Sequence, residues 1–206
     1  QDSDLMGIVT VHDGPPLQQG EIIASSIGEG HSSYQDPEKF IALGGRRGKQ
    51  IEVLTDGTYY INRLFATVEF RPKTVVPIGF VGVVVSFFGK EGVDTTGADY
   101  KHGELVAAGC KGVLEKPLMP GKYAFNTDAG KVVLVPTTNI ILKWNKSEIG
   151  EHKYDENLSE VDIITKDAFE PSLPLSVVMH IDYKQAPWVI QRFGDINMLV
   201  NQYLDP

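Results

Sequence analysis

Along most of the chain, apolar and polar residues alternate in short runs separated by glycine and proline. This is the pattern of β-strands with one covered face and one wet face. Residues 7–12 (GIVTVH) form such a run and end at a turn cluster, Asp13-Gly14-Pro15-Pro16. Residues 21–25 form a second short strand, and residues 27–35 are polar and glycine-bearing, a loop. A short helix then starts at Asp36-Pro37-Glu38-Lys39. Asp36 suits the cap, Pro37 the first helical position, and Gly44-Gly45 the end. Residues 50–54 and 58–61 bracket Thr55-Asp56-Gly57, a hairpin signal, and 64–70 is another strand.

Residues 75–88 (VVPIGFVGVVVSFF) are the longest apolar run. They are β-branched, interrupted by Pro77, Gly79 and Gly82, and too short to cross a membrane as a helix, so a buried strand pair is predicted. A loop over 89–101 leads to strands at 104–107, 112–115 and 122–125. Residues 131–144 read as one long strand or two, with Pro136 requiring an edge or a bulge. After a hydrophilic loop at 146–159, residues 161–165 form a strand, and 175–183 has apolar residues at every odd position, predicting one buried face. Pro187 then opens a helix to at least Leu204. Val189, Phe193, Ile196, Val200 and Tyr203 fall on one stripe, and Gly194 weakens this helix by about 1 kcal/mol relative to alanine.

These elements repeat. Residues 64 places apart match, from Gly45 and Gly109 through Gly48/Gly112, Leu54/Leu118, Gly57/Gly121 and Tyr59/Tyr123 to Asn62/Asn126. Upstream, with different gaps, 20–24 (GEIIA) parallels 103–107 (GELVA), and 7–9 (GIV) parallels 82–84 (GVV). Two copies are too few for a solenoid. The chain is therefore read as α+β: tandem β-rich modules, 1–72 and 73–206, the second an antiparallel sheet with a packed C-terminal helix.

The totals narrow the function. The 206 residues carry a net charge of −8, which argues against nucleic acid and against adsorption to anionic lipid by charge alone. The single cysteine, Cys110, allows no internal disulfide and no cysteine-rich metal site. Because the chain opens at Gln1, without an initiating methionine, and stops at Asp205-Pro206, it is expected to be an excised portion of a longer protein.

No motif for chemistry stands out. Residues 44–50 (GGRRGKQ) superficially resemble a phosphate loop, but Leu43 sits where the first glycine is needed and Gln50 replaces the magnesium-binding hydroxyl. A turn explains them better. His12, His31, His102, His152 and His180 form no i, i+4 pair, and Asp94 and Asp99 lack the alternation of a calcium loop. There is no G-x-S-x-G elbow and no cysteine–histidine signature. Asn145-Lys146-Ser147 and Asn157-Leu158-Ser159 fit the glycosylation pattern, which arises easily by chance. The expectation is a protein without catalytic, metal or cofactor residues. A buried, perturbed Asp–His pair in a pocket would reopen the hydrolase reading.

Several segments, in order, carry a resemblance. They are 76–84 (VPIGFVGVV), 103–106 (GELV), 112–113 (GV), 117–123 (PLMPGKY) with Asn126, 165–167 (TKD), and 186–194 (APWVIQRFG) after the strand to Tyr183. Together they are similar to the SPFH group, the stomatin, prohibitin and flotillin proteins, over about residues 73–206. Residues 7–70 resemble the extra N-terminal β copy of bacterial members with an extended N-terminal half. The resemblance implies a non-enzymatic, membrane-associated scaffold with an N-terminal hydrophobic anchor and a downstream coiled coil. It also implies homo-oligomeric rings or cages and, among partners, membrane proteases. Anchor and coiled coil are not in this sequence. Candidate interface residues are Phe80, Phe87 and Phe88, against a simpler assignment to the core, and the helix stripe Val189, Phe193, Ile196, Val200 and Tyr203. Tandem β modules before such a domain are also similar to the major vault proteins, which implies the alternative of a soluble particle or ligand-binding β-module protein.

Overall fold

The computed structural model describes residues 4–96, 104–144, 154–156, 158 and 160–204. Its first sheet is built from β1 (Leu5–Val11), β2 (Gly48–Leu54) and β3 (Ala66–Pro72), in the order β2-β1-β3, all antiparallel. Helix α1 (Pro37–Ala42) covers it. The Asp36 carboxylate accepts the Lys39 N–H at 3.1 Å, the cap expected from sequence, and Pro37 opens the first turn. Phe40, fully buried, drives the docking: its ring meets His31, Tyr34 and Phe65 at centroid distances of 5.5, 5.7 and 5.4 Å. Gly45 lies against the same ring, where any side chain would collide with it.

The second half contains β4 (Thr74–Val76), β5 (Phe80–Ser86), β6 (Lys90–Glu91), β7 (Leu105–Val106), β8 (Cys110–Leu114), β9 (Gly121–Tyr123) and β10 (Gly130–Pro136). Strands β10, β5, β8 and β6 lie side by side, with β7 also on β8, and β4 pairs with β9. Beyond them, β11 (Ile140–Trp144) pairs with β14 (Leu175–Met179), and β12 (Val161–Asp162) with β13 (Ser172–Leu173). Helix α2 (Ala186–Phe193) packs on β5, β7 and β8. A turn of helix α3 (Ile196–Leu199) and a π-helical turn (Val200–Leu204) follow. Val81, Val83, Leu142, Trp144, Ile190 and Val200 share one core, while Val9, Val11, Phe40 and Phe65 share another.

The internal repeat is a repeat of hydrogen bonds. The seven pairs of β1 with β3, from Leu5↔Pro72 to Val11↔Ala66, correspond to the seven pairs of β5 with β10, from Phe80↔Pro136 to Ser86↔Gly130. The flanking bonds correspond too. Lys73 donates to the Asp4 carbonyl as Thr137 does to Gly79, and His12 donates to Phe65 as Phe87 does to Ala129. Asn62 and Asn126 each close a turn by accepting, through the side-chain oxygen, the N–H of the residue two further on. The parallel contacts Ala24↔Gln50 and Val106↔Leu114 match as well. They align Ala24 with Val106, one residue away from the string match of GEIIA with GELVA.

Several expectations are corrected. Residues 21–25 make no strand. Ala24 alone hooks onto β2, accepting from Ile51 and donating to Lys49, because the flanking residues leave the sheet at once. Residues 58–61 do not return as a hairpin strand: although β2 is an edge strand, no strand ladder includes them among the described residues. In 161–165 the ladder pairs of β12 and β13 cover Val161 and Asp162, and the hairpin continues through the Ile163 N–H to the Pro171 carbonyl and the Thr165 N–H to the Phe169 carbonyl. The alternating face of 175–183 is not uniformly buried. Leu175 and Val177 are exposed, Met179 is partly covered and Ile181 is buried, so the core covers the partner strand β11 at Ile140, Leu142 and Trp144 more fully than it covers β14. The long helix is broken. Gly194 adopts φ 81°, a left-handed backbone, and Asp195 starts a new helix by accepting from the Met198 N–H at 2.8 Å. Pro136 does lie in an edge strand, β10, and 131–144 is two strands. Asp99, His102, His152, Asn145 and Asn157 lie outside the described residues.

Candidate interaction surface

The helix stripe expected from sequence is divided by the break at Gly194. Ile196 and Val200 are buried in the second core, and Val189 packs partly against it. Phe193 and Tyr203 meet edge to face, 5.0 Å between centroids, and Tyr203 is 69% exposed. Trp188 is exposed beside them, and with Gln185, Val189, Arg192 and Phe193 it lines an open groove of about 370 Å³. The C-terminal helices therefore present Trp188, Phe193 and Tyr203 outward, while Ile196 and Val200 hold the helix down. Sequence periodicity missed Ile190, which is buried in the same core against which Val189 packs, because the stripe was drawn one residue away from it.

Phe80 is half-buried at the start of β5, opposite Pro136. Phe87 and Phe88 lie elsewhere. They line a groove of about 890 Å³ whose far wall comes from the first half, including Gln18, Ile22 and Arg46. The two halves are also joined by polar contacts. Asp128 receives Lys49 at 2.7 Å and Arg71 at 3.6 Å, and the buried Asn126 amide donates to the Gln50 carbonyl at 2.8 Å. Lys122 pairs with Asp4 at 2.6 Å, and Lys73 with Asp56 at 2.9 Å.

The one histidine–carboxylate contact among the described residues is His31 Nε2 to Glu52 at 3.7 Å. It sits beside an open cavity of about 510 Å³. Three consecutive non-glycine residues there, Ser32, Ser33 and Tyr34, have φ of 51°, 54° and 67°, a backbone that costs about 1–3 kcal/mol per residue. The turn is held by the Tyr34 N–H donating to His31 Nδ1 at 2.9 Å and by the Tyr34 hydroxyl donating to the Glu52 carbonyl at 3.2 Å. Burial, with the Glu52 charge adding to it, raises the Tyr34 pKa. This constellation lacks the geometry of an activated nucleophile. Ser26 donates to the Glu52 carboxylate rather than to the histidine, and His31 Nδ1 is already occupied. Its chemistry is that of a structural latch. Nothing in the sequence marked it, because Glu52 is 21 residues from His31.

Among the described residues no group of three or more His, Cys, Asp or Glu is placed to hold a metal ion, and no helix is long and apolar enough to cross a membrane. No curated protein and no solved structure matches the chain. Residues 74–206 do match a family of generally membrane-associated, non-enzymatic scaffolds. That segment is more than half of the sequence and contains β4 through the C-terminal helices, so the chain belongs to the SPFH domain / Band 7 family.

Proposed function

We propose that this chain is a scaffold module that assembles side by side with copies of itself at a membrane, attached through a segment outside the sequence described here. The observation that carries the reading is the pair of exposed aromatics Trp188 and Tyr203 on the helices of the family domain, with half-buried Phe193 against Tyr203 and lining one groove with Trp188. Exposed aromatic side chains in a groove are the usual material of protein contacts, whereas Ile196 and Val200 beneath them already satisfy the core. A membrane protease is the partner class that such an assembly would gate or localise. Membrane fractionation and light scattering of the native full-length protein test this. A membrane-bound particle many times the mass of one protomer is expected, and replacing Trp188 and Tyr203 together with glutamate should lower its mass. A protein that stays monomeric, or one whose mass ignores that substitution, would end the reading.

A second reading has its own support. The residue-for-residue repeat of the β1–β3 and β5–β10 ladders supports a tandem β-module protein of the particle-forming kind, a reading that needs no membrane. A giant particle recovered entirely in the soluble fraction would favour it.

A further inference from the structure

His31 is 3% exposed, and its two ring nitrogens have fixed roles. Nδ1 accepts the Tyr34 N–H at 2.9 Å, and a nitrogen that accepts carries no proton. The ring is therefore neutral with its hydrogen on Nε2, the nitrogen that faces Glu52 at 3.7 Å. This tautomer leaves no lone pair for a metal ion at Nε2.

The turn that supplies the Tyr34 N–H is strained. Ser32, Ser33 and Tyr34 are three of the four non-glycine residues with left-handed φ among the described residues. The backbone bonds that close the turn, Gln35 N–H to the Ser32 carbonyl and Asp36 N–H to the His31 carbonyl, are long at 3.2 Å. The Tyr34 hydroxyl reaches the Glu52 carbonyl at the same distance. Only the Gln35 side-chain amide, on the Ser32 carbonyl, matches the 2.9 Å of the histidine bond.

A second proton on His31 can go only to Nδ1. There it would point at the Tyr34 N–H, turning an attraction into a clash of two donors. Glu52 does not offset this in place. Its carboxylate faces the opposite nitrogen, its side chain is 38% exposed, and it already accepts the Ser26 hydroxyl, so its charge is screened. The other groups packed on the ring are Phe40 from α1 and Tyr34 from the turn itself, neither charged at neutral pH.

We propose that His31 is an acid-operated release for this turn: protonation at Nδ1 frees the Tyr34 N–H, residues 32–34 leave the left-handed region, and the Tyr34 ring swings away from Phe40. That ring lies 4.6 Å from His31 and 5.7 Å from Phe40, between centroids. Its departure joins the aromatic core of the first half to the cavity of about 510 Å³ that His31, Ser32, Ser33 and Tyr34 line. The inference stands independently of the scaffold reading, because it rests on the first half and not on the C-terminal helices.

The test is NMR of the isotope-labelled chain from about pH 8 to pH 5, the range in which histidines change charge. The backbone carbon shifts of residues 32–34 are expected to leave left-handed values in one step that coincides with titration of the His31 ring, while the amides of β5 and β10 stay in place. His12 and His180, both exposed, are internal references whose titration should leave the turn unmoved. His31→Asn should abolish the step. Its amide oxygen can accept an N–H three residues on, as the Asp36 carboxylate does from Lys39, and it does not titrate. Should that variant not fold, the wild-type titration decides alone. A His31 ring that stays neutral down to pH 5, or that titrates while the shifts of 32–34 stand still, would overturn the proposal. So would a turn that opens only together with the β1–β3 ladder, or one that opens over the same range in His31→Asn.

Discussion

The first half of the molecule, β1 to β3, and the second, β5 to β10, share a hydrogen-bond register yet are stabilised by different means. The first buries an aromatic cluster under α1, with Phe40 against Tyr34 and Phe65. The second has an aliphatic sheet covered by α2, with Val83, Leu142 and Ile190 in one core. The difference shows that the repeated part is the backbone ladder with its glycines and asparagine turns, and that each copy closes its open face with whatever flanks it. The comparison also has a local side. At the end of the ladder where Val11 pairs with Ala66, the corresponding pair is Ser86 with Gly130, and the Val85 carbonyl fills the space that a methyl at Gly130 would need.

The largest blow to this contrast is Phe40→Ala. Removing a fully buried ring should cost about 3–5 kcal/mol. Hydrogen exchange should then show amides of β1 and β3 opening well before those of β5 and β10, and equal loosening of both ladders would mean that the two cores act as one. Next comes Gly130→Ala, expected to cost about 1–3 kcal/mol through overpacking against backbone, while Ala66→Gly in the other copy should cost only about 1 kcal/mol. Urea denaturation of the two variants measures this asymmetry. A third pair sharpens it. Asn126→Ala strands the buried Gln50 carbonyl and should cost about 1–3 kcal/mol, whereas Asn62, exposed, should lose about 0.5 kcal/mol. The smallest effect at ordinary pH is that of Tyr34. Its folded pKa is raised above the usual 10.0, so the folded state keeps the phenol proton that the unfolded state releases. Its contribution is complete below about pH 10 and is lost at up to about 1.4 kcal/mol per pH unit above it. The part of the tyrosinate absorbance that Tyr34→Phe removes should therefore rise together with melting of the first half and not ahead of it.

Much of this contrast was legible from local chemistry. The Asp36-Pro37 helix start, strands β1, β2 and β5, the edge position of Pro136 and the spacing of Gly7/Gly82 and Asn62/Asn126 follow from residue preferences or from comparing the chain with itself. What failed shares one cause: a segment's preference does not say whether something lies opposite it. Thr58 to Ile61 carry strand formers without a strand to pair with. The alternation through Leu175 and Val177 distinguishes two faces, but little packs on the apolar one. The helix break was closer to hand, since Gly194-Asp195 combines a left-handed residue with a cap, yet the stripe across it looked continuous. Of the candidate interface residues, Ile196 and Val200 are core, and Phe193 and Tyr203 reach the surface because the break turns the helix. The pairing of His31 with Glu52 had no local signal at all.

One feature of the backbone sets the mechanics of the whole. Only Lys73 separates β3 from β4. That residue is pinned at both ends, its N–H to Asp4 and its ammonium to Asp56, while Asp128 ties down Lys49 and Arg71 across the same junction. A one-residue splice clamped from several sides does not pivot. In the assembly proposed above, this junction would set how far the first sheet stands from the helical face of each protomer.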